Sequence, residues 1–266
     1  MKKYSILLAG GLLSLSLFSL TSCGENKTID FKSYKNEVSK DDFQDAYLDA
    51  IEIDTENKSY IYEDYYYYFS DANVDGEKMS TLSYRDTLYE VSSNKLFKIK
   101  KSEVEKENTT SSKRDSKTDE EKQIQINGNE NLVFDLKNKT YTDVNYSYKL
   151  PNIIFGGYES TYISMFKDVK YYHDDNVFTM TFDNIVSDTG NVKINEAKMQ
   201  FSIDNNTYYY TFVIDYEGSN TTKSNNKEIK ADMKLIFKSY KKLEFKDIKL
   251  NELSKEDNTY LVNLNY

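Results

Sequence analysis

The stretch from Ala197 to Tyr216 constrains the fold more than any other. Ala197, Met199, Phe201 and Ile203 alternate with Lys198, Gln200, Ser202 and Asp204. After Asn205-Asn206, the residues Tyr208, Tyr210, Phe212, Ile214 and Tyr216 resume the same period of two. That period marks a half-buried strand, and a two-residue Asn-Asn turn joins two such strands into a hairpin. Closing the turn pairs Ile203 with Tyr208, Phe201 with Tyr210, Met199 with Phe212 and Ala197 with Ile214. Every apolar residue then meets another on one face, while Lys198, Gln200 and Ser202 fall together on the other. A one-sided antiparallel sheet of this kind needs a cover on its apolar face.

The same alternation recurs along the chain. Phe178, Met180 and Phe182 form one more strand, and Ile229, Ala231, Met233, Leu235 and Phe237 another. Leu243 and Phe245, then Tyr260, Val262, Leu264 and Tyr266, suggest further strands closing the sheet. Upstream, residues 58–70 read as strand, and Tyr65-Tyr66-Tyr67-Tyr68-Phe69 places aromatics on both faces, so the second face also calls for a cover. Asp75-Gly76 marks a turn before strands near Ser80 to Val91 and Lys95 to Lys100. Asn127-Gly128 marks a hairpin between Ile124 and Ile126 on one side and Leu132 to Leu136 on the other. Tyr141 to Leu150 is extended and ends at Pro151. Residues 101–122 break the pattern, with Val104 their only aliphatic residue. They read as a flexible polar loop, or else as the solvated tip of a long hairpin.

One or two helices are expected on this sheet. The first runs from Lys40 to about Ile53, with Ser39 as N-cap, Asp42 as a short-armed capping-box partner, and Val38 with Phe43 as a hydrophobic staple. Phe43, Ala46, Tyr47, Ala50 and Ile51 share one of its faces. The second spans Glu159 to Val169, where Tyr158, Tyr162, Phe166 and Val169 fall on one side.

The start of the chain carries an address. Lys2 and Lys3 precede an uncharged run from Ile6 to Leu20, too short for a stable spanning helix. Leu20-Thr21-Ser22-Cys23 closes it. This segment resembles a bacterial lipobox, an aliphatic and two small residues before a cysteine. The resemblance implies cleavage before Cys23 and a diacylglyceryl group with palmitate-type acyl chains on it. Residues 1–22 are then a signal peptide, 23–36 a polar membrane tether, and 37–266 a single domain held at the extracytoplasmic face of the cell membrane. Cys23 is the only cysteine, so no disulfide or thiolate metal site competes for it.

Composition narrows the function. The formal charge is −9, and −11 once Lys2 and Lys3 are removed, which makes the chain a poor candidate for nucleic acid, since that partner demands basic patches. The 25 tyrosines, with no Trp and one Pro, follow A/T-rich codons and suit amphipathic strands. A single histidine, His173, and no free thiol leave Ser-His-Asp and Cys-His catalysis without support. Asp71, Asn73, Asp75 and Gly76 match the first half of an EF-hand loop, but its twelfth position is Leu82 where a Glu is required. Neither a metal nor a cofactor is expected.

The expected fold class is therefore α+β: a mostly antiparallel, curved sheet, open or half-barrel, covered by one or two helices. Its element order resembles the LolA/LppX-like half-barrel lipoproteins of bacterial lipid handling, without shared motif residues. That resemblance implies a non-enzymatic protein holding a hydrophobic ligand, such as lipid or an acyl chain, in the concave face. Phe43, Tyr47, Met199, Phe201, Phe212 and Met233 are the expected lining. Two other readings stand beside it: a module binding protein or glycan at the cell surface, and a carboxylate-dependent surface hydrolase, which would need two acids sharing a cleft.

Overall fold

The computed structural model describes residues 27–93, 96–127, 130–144, 155, 166–185, 190–224, 227–255 and 261–262. Cys23, the signal segment and most of the second expected helix lie outside these residues.

The alternating segments assemble into one open sheet with thirteen strands among the described residues. Chain order gives β1 (Glu37–Val38), β2 (Tyr60–Val74), β3 (Glu77–Val91), β4 (Leu96–Thr109), β5 (Lys113–Asn127), β6 (Glu130–Asp135) and β7 (Thr140–Val144). Then follow β8 (Phe166–Asp174), β9 (Val177–Ile185), β10 (Gly190–Asp204), β11 (Thr207–Ser224), β12 (Lys227–Phe245) and β13 (Leu261–Val262). In space the order is β1-β8-β9-β10-β11-β12-β2-β3-β4-β5-β6-β7-β13. Two antiparallel meanders, β2 to β7 and β8 to β12, are thus fused where β12 pairs antiparallel with β2. The outermost pairing, β13 on β7, is parallel.

The hairpin at Asn205-Asn206 has the register that the alternation dictates: Ile203 opposite Tyr208, Phe201 opposite Tyr210, Met199 opposite Phe212 and Ala197 opposite Ile214. Asn205 takes the left-handed backbone that this turn needs (φ 51°). Asp75 (φ 53°) and Gly76 (φ 91°) do the same between β2 and β3.

Each face of the sheet has its own cover. On the first face, the helix α1 (Lys40–Ile51) lies against β8 to β10. The Ser39 hydroxyl accepts the Asp42 amide at 3.1 Å and donates to the Asp42 carboxylate at 2.6 Å, so the short-armed cap closes side chain to side chain. Phe43 is 3% exposed, its ring 5.1 Å from that of Tyr171 and 5.9 Å from Phe178. Tyr47 stands edge-on to Phe201 at 5.7 Å, and Phe155 covers Phe201 from another side at 5.7 Å. Met199, Phe201, Phe212, Phe237 and Leu243 are buried in the same cluster.

The other face is crossed by two straps of irregular chain. Residues 27–36 run over β3, β2, β12, β11 and β10 to the β8–β9 turn, where the Lys35 amide donates to Asp174 at 2.7 Å. The chain then rounds the sheet edge as β1 and enters α1 on the far side. Residues 246–255 form the second strap: Gln123 and Gln125 donate side-chain amides to the carbonyls of Asn251 (2.5 Å) and Leu253 (2.8 Å). Leu253 packs on Leu132, Phe134 and Tyr141. Between the straps Tyr65, Tyr67, Tyr84 and Val104 form a second buried cluster. The aromatic run that pointed both ways is therefore covered on both sides.

Four expectations are corrected. Of the two readings of residues 101–122, the flexible loop gives way to the long hairpin: they are the outer arms of β4 and β5, turning at Thr109–Ser112. Opposite charges face each other there, Lys100 with Glu121, Lys101 with Glu120, Lys106 with Asp115 and Glu107 with Arg114, and β3 provides a long neighbour to pair with. The tether reading of 23–36 fails from Lys27 onward, because those residues are docked on the sheet. Of the second helix, Phe166 to Val169 belong to β8, where pairing with β9 overrides a weak helical pattern of β-branched and aromatic residues. Leu243 and Phe245 are no separate strand but the end of the 19-residue β12. Among the described residues α1 is the one helix.

Candidate functional site

The first strap is a bridge pinned at both ends. At one end the Lys27 amide donates to the Tyr65 hydroxyl at 3.2 Å, and the Lys27 ammonium bonds Asp86 at 2.5 Å. At the other, Gln200 reads the backbone of Lys32 twice, accepting from its amide at 2.7 Å and donating to its carbonyl at 2.9 Å. Thr179 orients Gln200 by accepting its second amide hydrogen at 2.9 Å. Gln200 is 3% exposed, so this exchange completes its hydrogen bonding inside the protein.

Beneath the span lies a cleft of about 580 Å³, within the range of small-molecule sites. Thr28, Ile29, Asp30 and Phe31 form its roof. Its floor crosses five strands: Gln200 and Ser202 from β10, Tyr209 and Thr211 from β11, Tyr240 and Lys242 from β12, Glu63 and Tyr65 from β2, and Asp86 and Leu88 from β3. These side chains share a face because they alternate with the buried residues of the opposite face along each strand.

The lining mixes tyrosine and aliphatic surface with charge: Glu63 and Lys242 stand opposite each other on β2 and β12, inside the floor, and Lys27, Asp86 and Lys32 lie towards its ends. Two ammonium groups lie over the Tyr209 ring, Lys32 at 5.3 Å and Lys242 at 6.0 Å from its centre. Lys242 is held by Glu244 at 3.2 Å, and its pKa is raised: burial alone would lower it, but the hydrogen bond to Glu244 and the charge of Glu63 outweigh that. Burial holds the Glu63 carboxyl above the ordinary carboxylate range; Lys242 and Lys27 oppose this and Asp86 adds to it. Burial also pushes the Tyr65 phenol up to about 12, and raises that of Tyr240, so both stay neutral at physiological pH.

The residues expected to line a ligand site lie elsewhere. Phe43, Tyr47, Met199, Phe201 and Phe212 pack against one another on the helix face. Met233 is partly buried on that face and borders a shallow groove beside Ala72 and Gly218. None of the six lines the cleft. Cys23 falls outside the described residues. His173 stacks on Phe178 at 4.4 Å, and its ring nitrogen meets the Asp175 carbonyl at 2.8 Å in the β8–β9 turn. In the EF-hand-like stretch Asn73 accepts the Gly76 amide at 3.1 Å and Asp75 pairs with Lys227 at 3.4 Å, so these polar groups serve the turn. No cluster of three metal-ligating side chains occurs among the described residues.

Sequence reasoning missed the cleft because its floor lies on the polar side of each strand. The signal that could have found it is the clash between Tyr65-Tyr66-Tyr67 and a one-sided sheet. No family model matches the chain, and no curated protein matches its sequence.

Proposed function

We propose that this protein is a lipid-anchored, extracytoplasmic lipoprotein that binds an amphipathic ligand, an acyl chain or lipid, in the cleft beneath residues 27–32. It acts without catalysis and requires no cofactor. The ligand-lining role passes from the helix face, where side chains fill the space, to Ile29, Phe31, Tyr65, Leu88, Tyr209 and Tyr240. The observation that carries this reading is the roofed cleft itself: a tyrosine-rich floor of mixed polarity, bridged by a strap that adds the apolar side chains of Ile29 and Phe31 and is fixed at its ends. Lys32 and Lys242, over the Tyr209 ring, suit the polar end of such a ligand. The half-barrel of lipid-handling lipoproteins is the matching finer description of the sheet.

The test is native mass spectrometry of the chain expressed from Gly24, with thermal melts in the presence and absence of fatty acid and phospholipid. Ligand bound at a hundred times its Kd stabilises the folded state by about 2.7 kcal/mol. A co-purifying lipid and an upward shift support the reading; neither lipid nor shift rejects it.

A second reading is favoured by Glu63 and Asp86, two carboxylates lining one cleft on adjacent strands, with the pKa of Glu63 raised by burial. Hydrolysis of a glycosidic bond uses two carboxyl groups facing one cleft. Asp86 is already bonded to Lys27, however, which ties it to the roof rather than to a substrate. Turnover of chromogenic glycosides that disappears in Glu63→Gln would favour this reading over binding.

A further inference from the structure

The distance from anchor to fold is very short. Only Gly24, Glu25 and Asn26 separate Cys23 from Lys27, and Lys27 is fixed to Tyr65 and Asp86 in the middle of the sheet. Four virtual bonds cannot span more than about 14 Å. A lipid on Cys23 therefore cannot hold this domain at arm's length.

The strap crosses the sheet from β10 towards β3, so Lys27, its first described residue, ends it on this face next to β3, with β4 and β5 beyond. That region carries Tyr84, Ser102, Val104 and Lys106 and a groove of about 940 Å³. Of the charged side chains that share this face on β3, β4 and β5, six are lysines (78, 98, 100, 106, 113 and 117) and five are carboxylates (Asp86, Glu90, Asp115, Asp119 and Glu121), a near balance. The surface neither repels a bilayer nor needs an anionic one.

We propose that the β3–β4–β5 face beside Lys27 lies against the lipid headgroups of the membrane that holds Cys23, with the Lys27 end of the cleft turned to the leaflet. This rests on the anchoring of Cys23 proposed above. The partner is the lipid surface itself. Apposition follows from the length of chain between anchor and strap, so it holds equally on zwitterionic and anionic lipid. It also places the cleft end formed by Lys27, Asp86 and Leu88 where a lipid could pass from bilayer to protein.

The experiment uses the full protein, processed in a lipoprotein-producing bacterium and reconstituted in phosphatidylcholine vesicles carrying a nitroxide-headgroup lipid. A fluorophore is attached through Lys106→Cys on this face, or through Asp49→Cys on the exposed side of α1. Intact mass reports the lipid on Cys23. The expected result is quenching several-fold stronger at position 106 than at 49. Inserting about twenty Gly/Ser residues between Asn26 and Lys27 should remove the difference, since that linker spans tens of ångströms. Equal quenching at both positions in lipidated protein overturns the orientation alone. A mass without lipid overturns the anchoring and the orientation with it.

Discussion

The backbone amide of Lys27 donates to the phenolic oxygen of Tyr65 at 3.2 Å, across 38 positions of sequence. Tyr65 is 2% exposed and stays neutral to about pH 12, so its hydroxyl is a fixed acceptor under all ordinary conditions. The Lys27 ammonium sits 4.7 Å from the centre of the same ring. One end of the strap is thereby attached to the floor of the cleft that it roofs.

Tyr65→Phe keeps the packing and removes the acceptor. The cost in global stability should be about 1 kcal/mol, as for one hydrogen bond. The local effect should be larger, and limited proteolysis reads it: residues 27–36 should become cleavable well before the sheet does.

Phe43→Ala should destabilise by about 3–5 kcal/mol, because the ring is buried among Tyr47, Tyr171 and Phe178 and α1 has no other large anchor of that burial. Urea unfolding measures it. A ligand added at saturation should leave this difference unchanged, since the cleft is on the opposite face; a ligand that rescues the variant would place the site beneath α1.

Glu63 sets a pH dependence whose sign is fixed by its raised pKa. The folded state binds the extra proton, so the contribution of Glu63 is most favourable below the unfolded pKa and is lost as pH rises through the folded value. Glu63→Gln should therefore raise the melting temperature at pH 7 and have little effect below about pH 4. Calorimetry across that range checks it. A variant destabilised at pH 7 would mean that the charged form is the favoured one.

Val104 is 6% exposed among Tyr65, Tyr67 and Tyr84, in the segment that its composition marks as solvated. Val104→Ala should cost about 2 kcal/mol. Replacing Val104 to Glu121 with a short Gly/Ser linker should cost much more, since it deletes the outer pairing of β4 and β5. Chemical denaturation of both variants decides: two near-neutral results would restore the loop reading.

What was legible in the sequence was whatever depends on one periodicity at a time. The β10–β11 register followed from two alternations and one turn, and the start of α1 from Ser39, Asp42 and Phe43, all local signals. For the β4–β5 segment the sequence left a loop and a long hairpin both open, because the pairing rests on charge rather than apolar alternation. Folding the segment about Thr110 and Ser111 sets Lys100 opposite Glu121 and Lys106 opposite Asp115, a pattern visible in the sequence only once a turn is placed there. The end of the second expected helix failed for a different reason: Phe166 and Val169 fit a helical spacing, but Val169 also alternates with Tyr171 as in a strand, and the neighbour β9 decided between them.

The cleft was not legible at all. Its parts come from five strands and a strap whose pairing partners lie up to 168 positions away, as with Lys32 and Gln200. Local pattern shows that Gln200 and Tyr209 point to the same side, but not that residues 28–31 lie over them. The polar character of that side argued against a ligand, because the apolar cover comes from Ile29 and Phe31 of the strap.

The most direct measurement is photo-crosslinking with a diazirine-bearing fatty acid, followed by peptide mapping of the labelled protein. The account predicts label on Ile29 or Phe31 of the strap and on Tyr209, Tyr240 or Leu88 of the floor, reduced by competing unlabelled fatty acid. Label concentrated on Phe43, Tyr47 or Met199, or no competable label anywhere, would contradict it.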